Sequence, residues 1–320
     1  MVFFLRKLAV GLLVSSFFIL MQAQAGIVEP IYKQLKDPTT GGQPSTVSMS
    51  ITPDGKKMFV LSHTQNKYYI YDLTTPFDLS TMDVSNRSEV DFVGDDPPSA
   101  SQIKDIEFNN DGTKVFVFGR AGTLHIHNLT TPYDVASISS STAVPDDGLD
   151  YTTEYGTVSR IHGVTFNNDG TKMYLSDGTI TSTDITQVNL STPFDPSSGT
   201  STYNLNTESI TLRYTMDLAF DDDGTRLYLS ESNVGVAINY MYVWKLSNPF
   251  ELSSATYVDK WQILGNGNNL SPYAWTFGNN GMKLYIGTED ASTDGDNIIY
   301  EYDLSCPYGI VLCESETSSV

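Results

Sequence analysis

The sequence is short of cysteine, histidine and tryptophan, with two, four and three in 320 residues. Two cysteines exclude a disulfide-dense scaffold and a four-cysteine zinc site, and four histidines leave little for a histidine-rich metal centre. Positive charge is scarce as well: 18 Lys+Arg against 38 Asp+Glu, a formal net charge of −20. A surface of that sign repels phosphate backbones and anionic lipid headgroups, which argues against nucleic acid and membrane-surface partners. A serine nucleophile elbow of the G-x-S-x-G type is missing too. Beyond the first 25 residues, no apolar run is long enough to cross a bilayer. What remains is 40% hydrophobic and 12% aromatic, which is ample for a sizeable core.

The opening stretch MVFFLRKLAVGLLVSSFFILMQAQA reads as an export signal, residues 1–25. Arg6 and Lys7 give the positive start, Leu8 to Met21 the short apolar run, and Ala23-Gln24-Ala25 the small-x-small cleavage site. The expected mature protein is residues 26–320, secreted or periplasmic, with no membrane insertion after cleavage.

One pattern recurs five times in the remainder. The copies are SMSITPDGKKMFVLS (48–62), DIEFNNDGTKVFVFG (105–119), GVTFNNDGTKMYLSD (163–177), DLAFDDDGTRLYLSE (217–231) and AWTFGNNGMKLYIGT (274–288). Each is followed by a third apolar run ending in a Pro-aromatic turn, as in YYIYDLTTPFDL (68–79) and IYEYDLSCPYGI (299–310). Asp-Gly or Asn-Gly between two apolar runs supplies the positive φ of a tight hairpin, and proline cannot donate to a ladder, so it ends the third strand. A repeat of this size built of strands without helices indicates a β-propeller. The expected fold is all-β: a five-bladed propeller of four-stranded antiparallel blades, with repeats near 46–93, 103–155, 161–206, 215–264 and 272–310. Outermost strands are expected near 87–93, 149–155, 201–206 and 256–264. The fifth repeat lacks one, and Ile27 to Leu35 is expected to pair onto the last blade and close the ring. Closure removes two open sheet edges. Cys306 and Cys313, in SCPYGIVLC, are expected to form one disulfide in an exported chain.

The two ends of such a ring carry different sequence logic. The turns joining strands a–b and c–d repeat almost unchanged, whereas the b–c loops and d–a crossovers vary in length and content. Binding chemistry belongs on irregular loops of a rigid scaffold. Candidate ligand-binding residues there are Lys104, Arg120, Arg160, His162, Tyr214, Glu231 and Tyr273, a set suited to a glycan, a peptide or a cell-surface partner. The same set also reads as an ordinary solvated rim. Asp105 and Asp217 occupy equivalent places three residues before a Phe; with His162 they are the only candidates for acid–base hydrolysis. Two buried strand-end caps are the alternative. The loop D290-A-S-T-D-G-D-N-I-I-Y-E301 has the alternating oxygen spacing of a calcium loop, with Asp290, Ser292, Asp294 and Glu301 as tentative ligands. Calcium is the one cofactor in view; an acidic solvent turn is the competing reading.

The core FNNDGTKMYLS (166–176) followed by VNLSTPFDP (188–196) resembles the DGTKMY-type repeats of bacterial and phage-associated β-propellers. At a distance it is similar to the YVTN-repeat and lactonase-like propeller group. The resemblance implies architecture, and no lactonase catalytic residue maps onto this chain. Three functions stay open: an exported non-catalytic binding propeller, a secreted hydrolase or lactonase-like enzyme, and a structural envelope or virion module.

Overall fold

A computed structural model describes residues 30–36, 46–62, 67–91, 103–119, 124–143, 161–177, 184–207, 210, 214–231, 238–265, 268–269, 272–288 and 298–313. The expected export signal at residues 1–25, residues 27–29 of the closing segment, Arg120, Arg160, Asp290, Ser292 and Asp294 lie outside them.

Strand β1, Ile31–Lys36, stands apart from the strands that follow it in sequence. Blade 1 is β2 (Thr46–Ile51), β3 (Lys57–Ser62), β4 (Lys67–Asp72) and β5 (Ser88–Asp91). Blade 2 is β6 (Ile103–Phe108), β7 (Lys114–Gly119), β8 (Leu124–Leu129) and β9 (Ile138–Ala143). Blade 3 is β10 (Ile161–Phe166), β11 (Lys172–Asp177), β12 (Asp184–Leu190) and β13 (Gly199–Asn206). Blade 4 is β14 (Thr215–Phe220), β15 (Arg226–Glu231), β16 (Tyr240–Leu246) and β17 (Ala255–Gln262). A two-residue ladder, β18 (Leu264–Gly265) with β19 (Asn268–Asn269), precedes blade 5. Blade 5 is β20 (Pro272–Gly278), β21 (Lys283–Thr288) and β22 (Ile299–Asp303), completed by β1. The inner strands touch in the cycle β2, β6, β10, β14, β20 and back to β2. The five-bladed ring and its closure by the N-terminal strand are therefore both present.

Closure is antiparallel, from Ile31 opposite Asp303 to Lys36 opposite Ile299. Tyr32 packs between Tyr300 and Tyr302 with ring centroids 6.1 and 6.0 Å away. Blade 2 differs from expectation in its outer strand, which is β9 at 138–143; residues 149–155 lie outside the described ones. The reason is the turn. In blades 1 to 4 the chain leaves the Pro-aromatic corner through one short 3-10 turn, and in blades 2, 3 and 4 the outer strand starts at once.

That corner explains the repeat. The turn glycines Gly55, Gly112, Gly170, Gly224 and Gly281 have φ between 69° and 75°, a region closed to most side chains. Across from them Phe77, Tyr133, Phe194, Phe250 and Tyr308 also take positive φ, 54° to 61°. Each aromatic amide donates to the glycine carbonyl, 2.7–2.9 Å. Each ring lies flat on the glycine, so a Cβ there would sit 2.3–2.5 Å from ring carbons. The Asp before the glycine in blades 1 to 4 accepts the backbone N–H two residues on, 2.9–3.0 Å. Asp-Gly and Pro-aromatic are thus two halves of one lock.

A serine or threonine fastens the same corner from the other side. The hydroxyls of Thr81, Ser137, Ser198 and Ser254 accept the N–H of the residue before the proline, 2.9–3.0 Å. Blade 5 has no outer strand following its corner, and there Cys306 stands before the proline. It is bonded to Cys313, with Cα atoms 5.8 Å apart. The expected disulfide replaces a hydroxyl clasp with a covalent one. Gly309 leaves room for it, since a Cβ would meet the Cys306 sulfur at 2.4 Å.

Bulky residues two before the Phe pack the blades together: Met49, Ile106, Val164, Leu218 and Trp275 are all buried. Their smaller neighbours Ser50, Glu107, Thr165, Ala219 and Thr276 face the axis instead.

Candidate functional site

Each inner strand carries one extra residue near its start, where the register against strand b slips. The slips fall at Val47, Lys104, His162, Met216-Asp217 and Tyr273. A bulge takes its residue out of the ladder and re-aims the side chain, and bulges concentrate beside functional sites. Three expected ligand residues, Lys104, His162 and Tyr273, are bulge residues. The bulges of blades 3 and 4 meet: His162 Nδ1 lies 3.4 Å from Met216 Sδ. Tyr214 is half-buried just ahead of β14. Glu231 is buried; burial and then the charge of Glu231 push the nearby Tyr242 hydroxyl's pKa up, so Glu231 belongs to the packing as much as to a rim.

Asp105 sits one residue after its bulge and Asp217 within its own, and both are buried. Asp105 Oδ1 accepts the Ser48 hydroxyl at 2.7 Å and the Ile106 N–H at 2.8 Å, and Oδ2 accepts the Val164 N–H at 2.6 Å. One carboxylate therefore ties blades 1, 2 and 3. Asp217 repeats the arrangement further round, accepting the Leu218 N–H at 2.8 Å and the backbone of Trp275 in blade 5. Blade 3 has Gly163 at this place, because a Cβ would stand 2.7 Å from the Asp217 backbone. Burial raises Asp105 to about 7 against the hydrogen bonds that lower it. Burial and then the charge of Asp105 push Asp217 well up.

Glu107 joins this group. Burial and then Asp105 push it up to about 8, and it accepts the Thr165 hydroxyl at 3.2 Å. A buried carboxyl with no cation beside it keeps its proton near neutrality.

These acids form the floor of an axial cavity of about 350 Å³. Its wall continues through Pro53, Asn110, Asn168 and Asp222, so it opens at the regular a–b turn end. The mouth is laced from blade to blade. Asn110 donates to the Asn168 carbonyl, Asn168 donates to the Asp222 carbonyl at 2.6 Å, and the Tyr308 hydroxyl donates to the Asp222 carboxylate. The sequence pattern places the candidate ligand residues at the other, irregular end. The cause of the difference is the small axial face of each inner strand, which leaves the volume beneath the turns.

Glu301, the expected closing ligand of a calcium loop, is engaged elsewhere. It is buried, accepts the Leu79 N–H at 2.8 Å across the blade 5–blade 1 seam, and pairs with Lys283. Its side chain points to the c–d corner of the next blade; Asp290, Ser292 and Asp294 lie outside the described residues. Among the described residues no three His, Cys, Asp or Glu side chains converge on a metal position. None of the described helices is long and apolar enough to cross a membrane.

No protein-family model and no curated protein matches the chain. Solved structures with a similar trace include a functionally unknown protein from Desulfotomaculum acetoxidans, 12% identical, TM-score 0.46, covering 76% of this chain and 79% of that one. A putative 6-phosphogluconolactonase from Bacteroides fragilis is 14% identical, TM-score 0.46, covering 87% and 70%. A luciferin-regenerating enzyme is 10% identical, TM-score 0.48, covering 89% and 98%. At this distance the likeness carries no argument about activity.

Proposed function

We propose that the protein is an exported, non-catalytic binding propeller whose ligand face is the end carrying the bulges and the b–c and d–a loops. The observation that carries this reading is the ring of five bulges. Their residues, Val47, Lys104, His162, Met216 and Tyr273, are chemically unrelated, while the turn corners at the other end are near copies. Copies serve the scaffold, and divergence at a re-aimed position serves recognition. Lys104, His162, Tyr214 and Tyr273 suit a glycan or a peptide. Export agrees with the disulfide, which persists in oxidising compartments.

A hydrolase using Asp105, Asp217 and His162 is the second reading, favoured by the raised carboxyls on the axial cavity. Against it, each acid accepts a backbone N–H of its own strand and one from the next blade, which fits inter-blade ties better than an acid–base pair. One experiment separates the two. The mature protein is screened against soluble glycans and peptides, then Tyr273→Ala, His162→Ala and Asp105→Asn are compared. Binding reduced about tenfold or more by the first two, with no turnover by any form, supports the binding reading. Turnover that Asp105→Asn abolishes while the fold survives would establish the hydrolase instead.

A further inference from the structure

Four of the five a–b turns share one build, and the fifth departs from it. In blades 1 to 4 the residue three before the glycine is Thr52, Asn109, Asn167 or Asp221, and its side-chain oxygen accepts the N–H five residues on at 2.8–3.0 Å. The glycine N–H donates to the carbonyl of that same residue, 2.8–3.1 Å. The aspartate before the glycine is held twice. It accepts the N–H two residues on, and it accepts a threonine hydroxyl at 2.5–2.7 Å.

Blade 5 has Gly278 where those shaping side chains stand. A Cβ there would lie 2.9 Å from the Tyr285 ring and 3.2 Å from Phe77 of blade 1, so the seam excludes a side chain. Without that acceptor, Gly278 pairs with Lys283 in the ladder, and the Met282 N–H closes the turn on the Asn279 carbonyl at 3.1 Å. Asn280 then takes a φ of 51°, whereas Asp54, Asp111, Asp169 and Asp223 stay at negative φ. With Gly281 at 75°, this is the type I′ form that Asn-Gly favours. The change frees two groups. Among the described residues nothing accepts the Gly281 N–H, and nothing bonds the exposed Asn280 carboxamide. Met282 stands where blades 2 to 4 have a threonine hydroxyl.

We propose that Asn280 is a self-modification site, at which the Gly281 nitrogen closes on the Asn280 carboxamide to a succinimide that water opens to aspartate or isoaspartate. An amide nitrogen attacks a neighbouring carboxamide when its proton can leave and no Cβ of its own residue crowds the approach; Gly281 meets both conditions. The Gly281 nitrogen forms a bond to Asn280 Cγ, and the bond from Cγ to the side-chain nitrogen breaks. That nitrogen leaves as ammonia, with the proton given up by the Gly281 amide. One solvent water then breaks either ring bond to the shared nitrogen, its hydroxyl going to the carbonyl carbon and its proton back to Gly281. One product repeats the aspartate of the other four turns. The other lengthens the main chain by one carbon beneath Tyr308, whose N–H is bound to the Gly281 carbonyl at 2.7 Å. The site lies at the turn end, so its test is independent of the proposed ligand face.

The folded protein is incubated at mildly alkaline pH, digested and sequenced by mass spectrometry, which tells Asn280 from Asn266, the other asparagine before a glycine. The expected result is loss of the amide at Asn280 with isoaspartate among the products. Asp54, Asp111, Asp169 and Asp223, each also followed by glycine, should yield no isoaspartate while the protein stays folded. Asp169→Asn puts Asn-Gly into the locked build of blade 3, where the new side-chain oxygen still accepts the Thr171 N–H. Ammonia loss there should be slower than at Asn280 by about tenfold or more, the rate worth of one hydrogen bond that must break first. In concentrated urea the two places should react alike. An Asn280 that keeps its amide in the folded protein yet loses it in urea overturns the proposal. So does a folded Asp169→Asn protein that reacts equally fast at both places, and Asp111→Asn repeats that comparison in blade 2.

Discussion

At the scale of single residues, the glycine–aromatic lock makes a sharp demand. Gly224→Ala would force a side chain into a positive φ and into the Phe250 ring at 2.3 Å. The expected loss is about 2 kcal/mol or more in urea unfolding, whereas Ala at Asn168 should cost much less. Charge gives a second expectation. Glu107 and Asp105 are raised to about 8 and about 7. Between pH 4 and pH 8 the folded state therefore holds protons that the unfolded chain has released. Stability falls as pH rises through that window. Glu107→Gln should flatten the fall, gaining about 1–3 kcal/mol over wild type at pH 8 and little at pH 5, by chemical denaturation at the two values. The turn glycines were legible in the sequence because Asp-Gly recurs. Glu107 was not, because its partners come from the neighbouring blade and share no local spacing with it.

At the scale of elements, the seams differ by single atoms. Tyr285→Phe deletes the bond to the Phe77 carbonyl, and the expected cost is about 1 kcal/mol, read as a lower Tm. Removing the disulfide as Cys306→Ser with Cys313→Ser frees a corner that no outer strand follows. A short closure of this kind is worth roughly 2–3 kcal/mol, and the variant's Tm should match that of reduced wild-type protein. Strand positions within the hairpins were readable from alternation and turn chemistry. The outer strand of blade 2 was not: its sequence ISSSTA is polar and edge-placed, so no apolar signal separates it from a loop. Glu301 shows a related limit: spacing reports which oxygens are near in sequence and not which backbone amide, here that of Leu79, a carboxylate accepts.

At the scale of the molecule, the count of blades and the closing segment followed from the repeat alone, because a ring with a missing last strand and a spare first one has one economical solution. The position of the cavity did not follow. It depends on which face of five inner strands is small, summed around an axis. Deleting residues 31–36 should leave β22 as a bare edge and strip Tyr32 from its two tyrosine neighbours. Loss of cooperative unfolding and visible self-association in light scattering are the expected outcome.

The pairing of Ile31 with Asp303 also sets an order of events in time. In a chain made N-terminus first, β1 emerges earliest and its partner β22 among the last strands. Until then the first strand has no sheet to join, and every intermediate is an open arc. Completion must await nearly the whole polypeptide, and the edges left open during the delay invite association.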